Sequence, residues 1–435
     1  MHSIRKFFRK FTPWMLAVVL CWSAPSVSFA DASSASLSIT VSDTSGAFIP
    51  DAKAVLRNND TNQEQQSVSS KTGSAIFPFL KPGHYALTVS RGGFSDVTVG
   101  AILLNVGDSK HLQLVLKVGS ASQNITVDGS GATINTTDGS VSTVIERQFV
   151  ANIPLNGNSF QDLISMTPGV VTASPQTQYT SAGSNGDFSM NGQRTESNYY
   201  MVDGVSANVS AGATTNGASY GATGTVAATS ALGTTQSLLS VDDLQEFRVE
   251  SSSYSAEYGR SPGGQLSFLT RSGTNTFHGS AFDYFRNGSL DANDWFNDEL
   301  GQPKNEIHQN DFGGTVGGPV SIPRLYQGKG KTFFFGSYEG LRLVEPVAAS
   351  VHYVPDLYLR EQAPAVLQPL LNAFPLPTPG GIDYGTPQAP NLAEFFQGYT
   401  VPGKIDSSSI RIDQTFTPAF SAFFRFADTP SSVQS

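Results

Sequence analysis

Residues able to carry bond chemistry are few in this chain and are scattered. Its six histidines and single cysteine form no HExxH zinc pair and no other paired metal ligands. Gly313-Gly314 and Gly317-Gly318 frame a glycine run that could cradle phosphate, but neither Lys-Ser/Thr nor a helix follows. Strand glycines at a bend are expected there instead. The acidic run from Asp291 to Glu299 (DANDWFNDE) has enough carboxylates for calcium but lacks the glycine of an EF-hand turn, so an exposed loop is expected. What remains is the chemistry of pairing. Gln123-Asn124-Ile125-Thr126-Val127-Asp128 is an extended hexamer between small, polar flanks, the form a partner adds as an edge strand. A last sandwich strand or a plain linker is the alternative for it. Arg248, Glu257 and Arg260 are charges in Gly-rich surroundings and read as ion-pairing residues. No catalytic residue, cofactor or metal is expected.

The elements that must position these groups follow from composition. The 435 residues are 39% hydrophobic and only 14% charged, with 29 Phe and 14 Tyr against 3 Trp. An average soluble domain is about 25% charged. The net charge of −9 excludes a nucleic-acid binder driven by a basic footprint. Beyond the N-terminus, no apolar run approaches the ~20 residues of a membrane helix.

Residues 1–30 read as a secretory signal peptide. Arg5, Lys6, Arg9 and Lys10 precede the short apolar core WMLAVVLC (Trp14 to Cys21), and Ser28-Phe29-Ala30 supplies the cleavage site. Removal leaves 22 basic against 35 acidic residues, a balance of −13, and no cysteine. Stability must then come from a large sheet or from burial in another medium, since disulfides cannot supplement the core.

From 36 to 118 apolar and polar residues alternate, with turns about every ten residues. Leu37, Ile39 and Val41 share a face, as do Ala52, Ala54 and Leu56, and Leu112, Leu114 and Leu116. The spacing predicts a sandwich of roughly seven strands. Ser42-Asp43, Pro50-Asp51-Ala52, the Lys81-Pro82-Gly83-His84-Tyr85 turn and Arg91-Gly92-Gly93-Phe94 resemble the carboxypeptidase regulatory-like domain. That resemblance implies a carbohydrate-binding-like β-sandwich without peptidase activity. Sugar binding is implied only at the level of the fold, and a spacer role is preferred.

Further on, Ile153-Pro154-Leu155-Asn156-Gly157-Asn158-Ser159-Phe160-Gln161-Asp162-Leu163 leads to Thr167-Pro168-Gly169-Val170. Phe160, Leu163 and Ile164 lie on one helical face, which Pro168-Gly169 ends. A second block holds Asn191-Gly192-Gln193-Arg194 and then Tyr199-Tyr200-Met201-Val202-Asp203-Gly204, whose Asp-Gly pair predicts a hairpin. These blocks resemble the plug domain of Oar-like TonB-dependent outer-membrane transporters. Asn158 departs from the family's usual Arg, and Met201-Val202 stands in place of a Leu. The resemblance implies that residues 123–128 are the TonB box; Arg248, Glu257 and Arg260 then read as ion pairs between plug and barrel wall, in preference to a substrate site. Between Ser206 and Ser237, 25 of 32 residues are Ala, Gly, Ser or Thr, which predicts a mobile loop.

After Gly264 the pattern becomes that of membrane strands. A hairpin is predicted from Gln265–Arg271 and Thr276–Arg286, then pairs from Asp311–Val320 with Lys331–Val344 and Ser409–Gln414 with Ala419–Ala427. A Pro-rich extracellular loop is expected over 346–404. The strings FGGTVGGP and KTFFFGSYEGLR again resemble Oar-like barrels. Six strands are far short of the ~22 of a closed transporter barrel, so the chain reads as a fragment of a protein two to three times longer.

The expectation is therefore a mainly β chain with signal peptide 1–30, sandwich 31–118, linker 119–142, α+β plug 143–263 and an incomplete transmembrane antiparallel barrel 264–435. Implied partners are outer-membrane lipid, a TonB-type energy-coupling protein, and a carbohydrate or other small ligand, with no nucleic acid. Energy-coupled uptake or export across the outer membrane is the leading function. An exported surface sandwich that binds carbohydrate or mediates adhesion is the alternative.

Overall fold

The computed structural model describes residues 34–119, 140–152, 160–172, 188–194, 197–208, 214–215, 218–219, 238–254, 258–259, 261–417 and 420–433. The expected leader, the hexamer at 123–128, Glu257, Arg260 and most of the Ala/Gly/Ser/Thr stretch lie outside these residues.

The N-terminal alternation folds into seven strands: β1 Ala35–Asp43, β2 Lys53–Asn58, β3 Glu64–Val68, β4 Ser74–Leu80, β5 Gly83–Ser90, β6 Val97–Leu104 and β7 Ser109–Leu116. They form two sheets, β4-β1-β7 and β3-β2-β5-β6. Every other side chain of β1 points between them, and Leu37, Ile39 and Val41 are fully buried with Phe77, Leu87 and Leu114. Period-two burial against a second sheet is what the alternating sequence requires. Tyr85 closes the Lys-Pro-Gly turn by donating its hydroxyl to the Lys81 carbonyl at 2.6 Å, and burial pushes that hydroxyl up to about 12.

A central unit follows. Its five-stranded sheet has the order β12-β11-β14-β13-β8, built from β8 Val141–Glu146, β11 Tyr199–Val202, β12 Val205–Ser206, β13 Leu244–Ser252 and β14 Gln265–Thr270. Short helices α1 Arg147–Asn152 and α2 Phe160–Ser165, with the small ribbon β9 Val170–Thr172 and β10 Phe188–Met190, complete it. Leu163, Ile164, Phe188, Phe247 and Phe268 are its buried core, and the Phe247 and Phe268 rings stack at 5.5 Å. The hairpin expected at Asp203-Gly204 is present, with φ of 50° and 80°, the paired positive values of a type I′ turn.

One expectation fails here. Gln265–Thr270 does not begin the membrane sheet. It pairs antiparallel with β13 and parallel with β11, as an inner strand of the central unit. Leu266 and Phe268 complete that unit's core, and an almost continuously buried strand of this kind carries no lipid-facing side.

The large antiparallel sheet starts later and runs β15 His278–Asn287, β16 His308–Pro319, β17 Thr332–Val347, β18 Tyr399–Thr417, β19 Phe420–Asp428, with β20 Ser431–Val433 also on β18. β17 and β18 are 16 and 19 residues long, beyond the ~10 that cross a membrane. β18 therefore takes in the end of the stretch expected to be loop. Residues between β17 and β18 hold a two-stranded antiparallel ribbon, His352–Pro355 with Leu392–Phe395, and two short helices between its strands. In the acidic loop Asp294 caps a helix through Phe296 N at 2.9 Å and Asp291 faces Arg286 at 3.4 Å.

Candidate functional site

The large sheet has two unlike faces. On one, Ile410, Ile412, Phe424, Phe426 and Val316 are exposed, Phe426 by 58%. Phe277 and Phe334 meet on that side at 6.3 Å. On the other, Ser407, Ser409, Arg411, Asp413, Glu339 and Asp311 are buried. Strand alternation separates the two sets. The glycines of β16 and β17 refine the bend expected of them. A Cβ at Gly313 would lie 2.6 Å from the Phe282 ring and one at Gly340 2.8 Å from the Phe312 ring, so these positions seat a neighbouring strand's aromatic side chain.

The buried polar face meets the central unit through a chain of charges. Asp203, at the tip of the β11–β12 hairpin, accepts from Thr270 N at 2.9 Å and from the Thr270 hydroxyl at 2.8 Å. Arg411 Nη1 reaches Asp203 Oδ1 at 2.9 Å and Thr270 Oγ1 at 2.7 Å. The rest of its guanidinium forks onto Asp413, with Nε and Nη2 at 2.9 and 3.1 Å from the two carboxylate oxygens. Its Cζ lies 4.4 Å over the Phe423 ring. Asp413 also accepts from Ser272 Oγ at 2.8 Å and from Lys81 Nζ, on the N-terminal sandwich, at 2.9 Å. Charges with so little water around them persist only when paired and hydrogen-bonded.

A second polar contact lies beside it. Ser240 donates to Glu339, and Arg271 Nη1 approaches Thr315 Oγ1 at 3.3 Å with its Cζ 4.5 Å over Phe335. Burial lowers Arg271 to about 10 and raises the Asp243 carboxyl.

The sandwich grips the central unit at a third point. Arg248 pairs with Asp108 at 3.6 Å and Glu250 at 3.0 Å, and donates to Val106 O and Ser140 Oγ. Glu246 accepts from Val106 N, and burial pushes its carboxyl up to about 8. Gly107 lies against the guanidinium, where a Cβ would come within 3.2 Å of Nη1.

Arg248 thus sits on the seam with the sandwich, where the sequence reading expected it to face the barrel wall. Asp203 and Arg411 occupy the seam with the large sheet. Sequence reasoning missed both, because Asp203 was fully accounted for as a turn residue and Arg411 and Asp413 were only two polar positions in an alternating strand. Arg-x-Asp on the inward side of such a strand is the signal that could have found them.

Comparison with known proteins follows the same division. Residues 36–117 match the carboxypeptidase regulatory-like domain and residues 269–363 an outer membrane beta barrel domain. The TonB-dependent transporter Oar of Myxococcus xanthus is 26% identical over 291 residues, 64% of this chain and 24% of that protein. The chain thus spans about a quarter of the relative's length. Among solved structures, the outer membrane transporter YddB from Escherichia coli has a TM-score of 0.41 at 15% identity, covering 67% of this chain and 33% of its own. The siderophore receptor PirA from Acinetobacter baumannii has a TM-score of 0.40 at 14% identity, covering 68% and 32%. The resemblance read from the sequence is borne out: the chain is a homologue of Oar, mainly β, and its place is the outer membrane.

Proposed function

We propose that this chain supplies the regulatory-like sandwich, the plug and the first strands of the barrel of an energy-coupled outer-membrane transporter. In this reading the central unit is the plug, the exposed apolar face of the large sheet lies against lipid, and the buried polar face lines the lumen. The observation that carries it is the split of one sheet into Ile410, Ile412, Phe424 and Phe426 on one side and Arg411, Asp413 and Glu339 on the other. A soluble, exported sandwich protein gains nothing from such a face. Bond chemistry is not assigned, and the relatives are named as transporters and receptors.

The physical logic of transport supports a polar seam. A plug held by buried apolar surface would pay the full cost of exposing it at every cycle. Charges and hydroxyls released into a water-filled lumen regain hydration, so a polar contact can break and re-form. Residues 123–128 are the proposed point where a TonB-type protein adds a strand and pulls. Single cysteines placed along 123–128 should form disulfides with a cysteine-bearing TonB-type protein in cells. Deleting the hexamer should abolish that product and leave heat-modifiable barrel in the outer-membrane fraction. Absence of any crosslink, with the protein present in that fraction, overturns the box.

A further inference from the structure

The charge chain is not confined to plug and barrel. It ends on the sandwich, and that end has a consequence for the rest. Asp203 and Asp413 are both buried, with side chains 5% and 2% exposed, and both are served by Arg411. Among the described residues, Arg411 is the one cation within ion-pair distance of Asp203. Asp413 has two such cations, Arg411 and Lys81. With the sandwich docked, the two buried carboxylates face buried Arg411 and the half-exposed Lys81, and the cluster is neutral. Without Lys81, two carboxylates share one guanidinium, and a buried charge is left uncompensated.

We propose that Lys81 is a positioning residue, and the sandwich a removable third part of the plug latch. When Lys81 shares Asp413, Arg411 rests Nε and Nη2 on Asp413 and keeps Nη1 on Asp203, and so holds the plug. When the sandwich leaves, Asp413 competes for Arg411 and the hold on Asp203 weakens, although Lys81 itself makes no contact with the plug hairpin. Docking is reinforced at both ends of the sandwich. Gln63 donates to Thr415 and Asn275 N to Asp60 O at the barrel end, and Asp108 and Val106 engage Arg248 and Glu246 on the plug. Chain connectivity adds the means of release. Residues 120–139 join the sandwich directly to β8, an outer strand of the plug sheet, so traction on that stretch loads the sandwich and the plug together. This last step rests on the transporter reading; the competition for Arg411 does not.

The test uses the whole protein in detergent, without ligand or energy-coupling partner, and reads hydrogen exchange of the Thr270 amide, which donates to Asp203. Lys81→Met should raise that exchange about tenfold, the scale of coupling between charged residues in contact. Lys81→Arg should leave it near wild type, which separates loss of charge from damage to the turn. Asp413→Asn should change it little, and Lys81→Met/Asp413→Asn should restore slow exchange, because the competitor for Arg411 is gone. Unchanged exchange in Lys81→Met overturns the proposal. So does a double variant that exchanges as fast as Lys81→Met, since Lys81 would then act only by tethering the sandwich. Failure of the TonB-type crosslink leaves these outcomes untouched, so the two ideas fall separately.

Discussion

The interior of the sandwich and the seam between plug and barrel are both buried, yet they are made of opposite materials. Leu37, Ile39, Phe77 and Leu114 fill the first with no charged group among them. Asp203, Arg411, Asp413, Thr270 and Ser272 fill the second. An apolar interior resists any opening in proportion to its area, and it has no second arrangement of comparable energy. A polar seam is held by a few directional contacts that water can replace. On the transporter reading proposed above, the contrast separates the part built to stay closed from the part built to come apart.

Substitutions can break that comparison, and the largest effects should come from the two interiors themselves. Phe77→Ala should cost the sandwich about 3–5 kcal/mol through lost burial and the cavity left behind, read as the shift of its urea transition by near-ultraviolet circular dichroism. Arg411→Leu should cost the seam about 3–5 kcal/mol by leaving buried Asp203 without a cation and Asp413 with Lys81 alone, read as earlier exposure of the plug to protease. The two should then part company. Adding Asp203→Asn and Asp413→Asn to Arg411→Leu should recover most of the loss, because no buried charge remains. Polar replacements lining the cavity left by Phe77→Ala should recover nothing. If the triple variant stays as weak as Arg411→Leu, the seam is held by shape rather than charge.

A smaller effect tests the lipid side of the same sheet. Phe424→Lys should slow or weaken folding into bilayers by about 2 kcal/mol, as a cation placed on the lipid face. The same change at inward Ser409 should matter less, by urea titration in vesicles. Equal penalties at the two positions would erase the assignment of faces.

The smallest effect is a pH dependence at the seam between sandwich and plug. Burial holds the Glu246 carboxyl protonated up to about 8, against an ordinary value of 4.5. Below about 4.5 the docked and released states both keep the proton, and docking is constant. As pH rises from 4.5 towards 8 the released state loses its proton while the docked state keeps it, so docking weakens across that window. A disulfide between cysteines replacing Gln63 and Thr415 should form less readily at pH 8 than at pH 5.5 relative to an exposed control pair, and Glu246→Gln should remove the difference.

How much of this was legible in the sequence depends on what kind of contact is involved. Alternation at Leu37, Ile39 and Val41 announced a buried strand face, since a side chain's partner there is simply another apolar surface. The Asp203-Gly204 turn was legible for a similar reason, as local backbone geometry demands those residue types. Local periodicity misled at Gln265–Thr270, because a strand inside the plug sheet and the first strand of a barrel present the same apolar string.

Sequence by itself thus determined the order of the parts, the character of each strand's faces and the kinship with outer-membrane transporters. Tertiary structure alone decided that Asp203, Arg411 and Asp413, buried, and the half-exposed Lys81, up to 332 positions apart, form one neutral cluster. The reason is physical: burial patterns repeat every two residues and are written locally, whereas a charge's partner is chosen by distance in space, which only the packing of the three parts against one another sets.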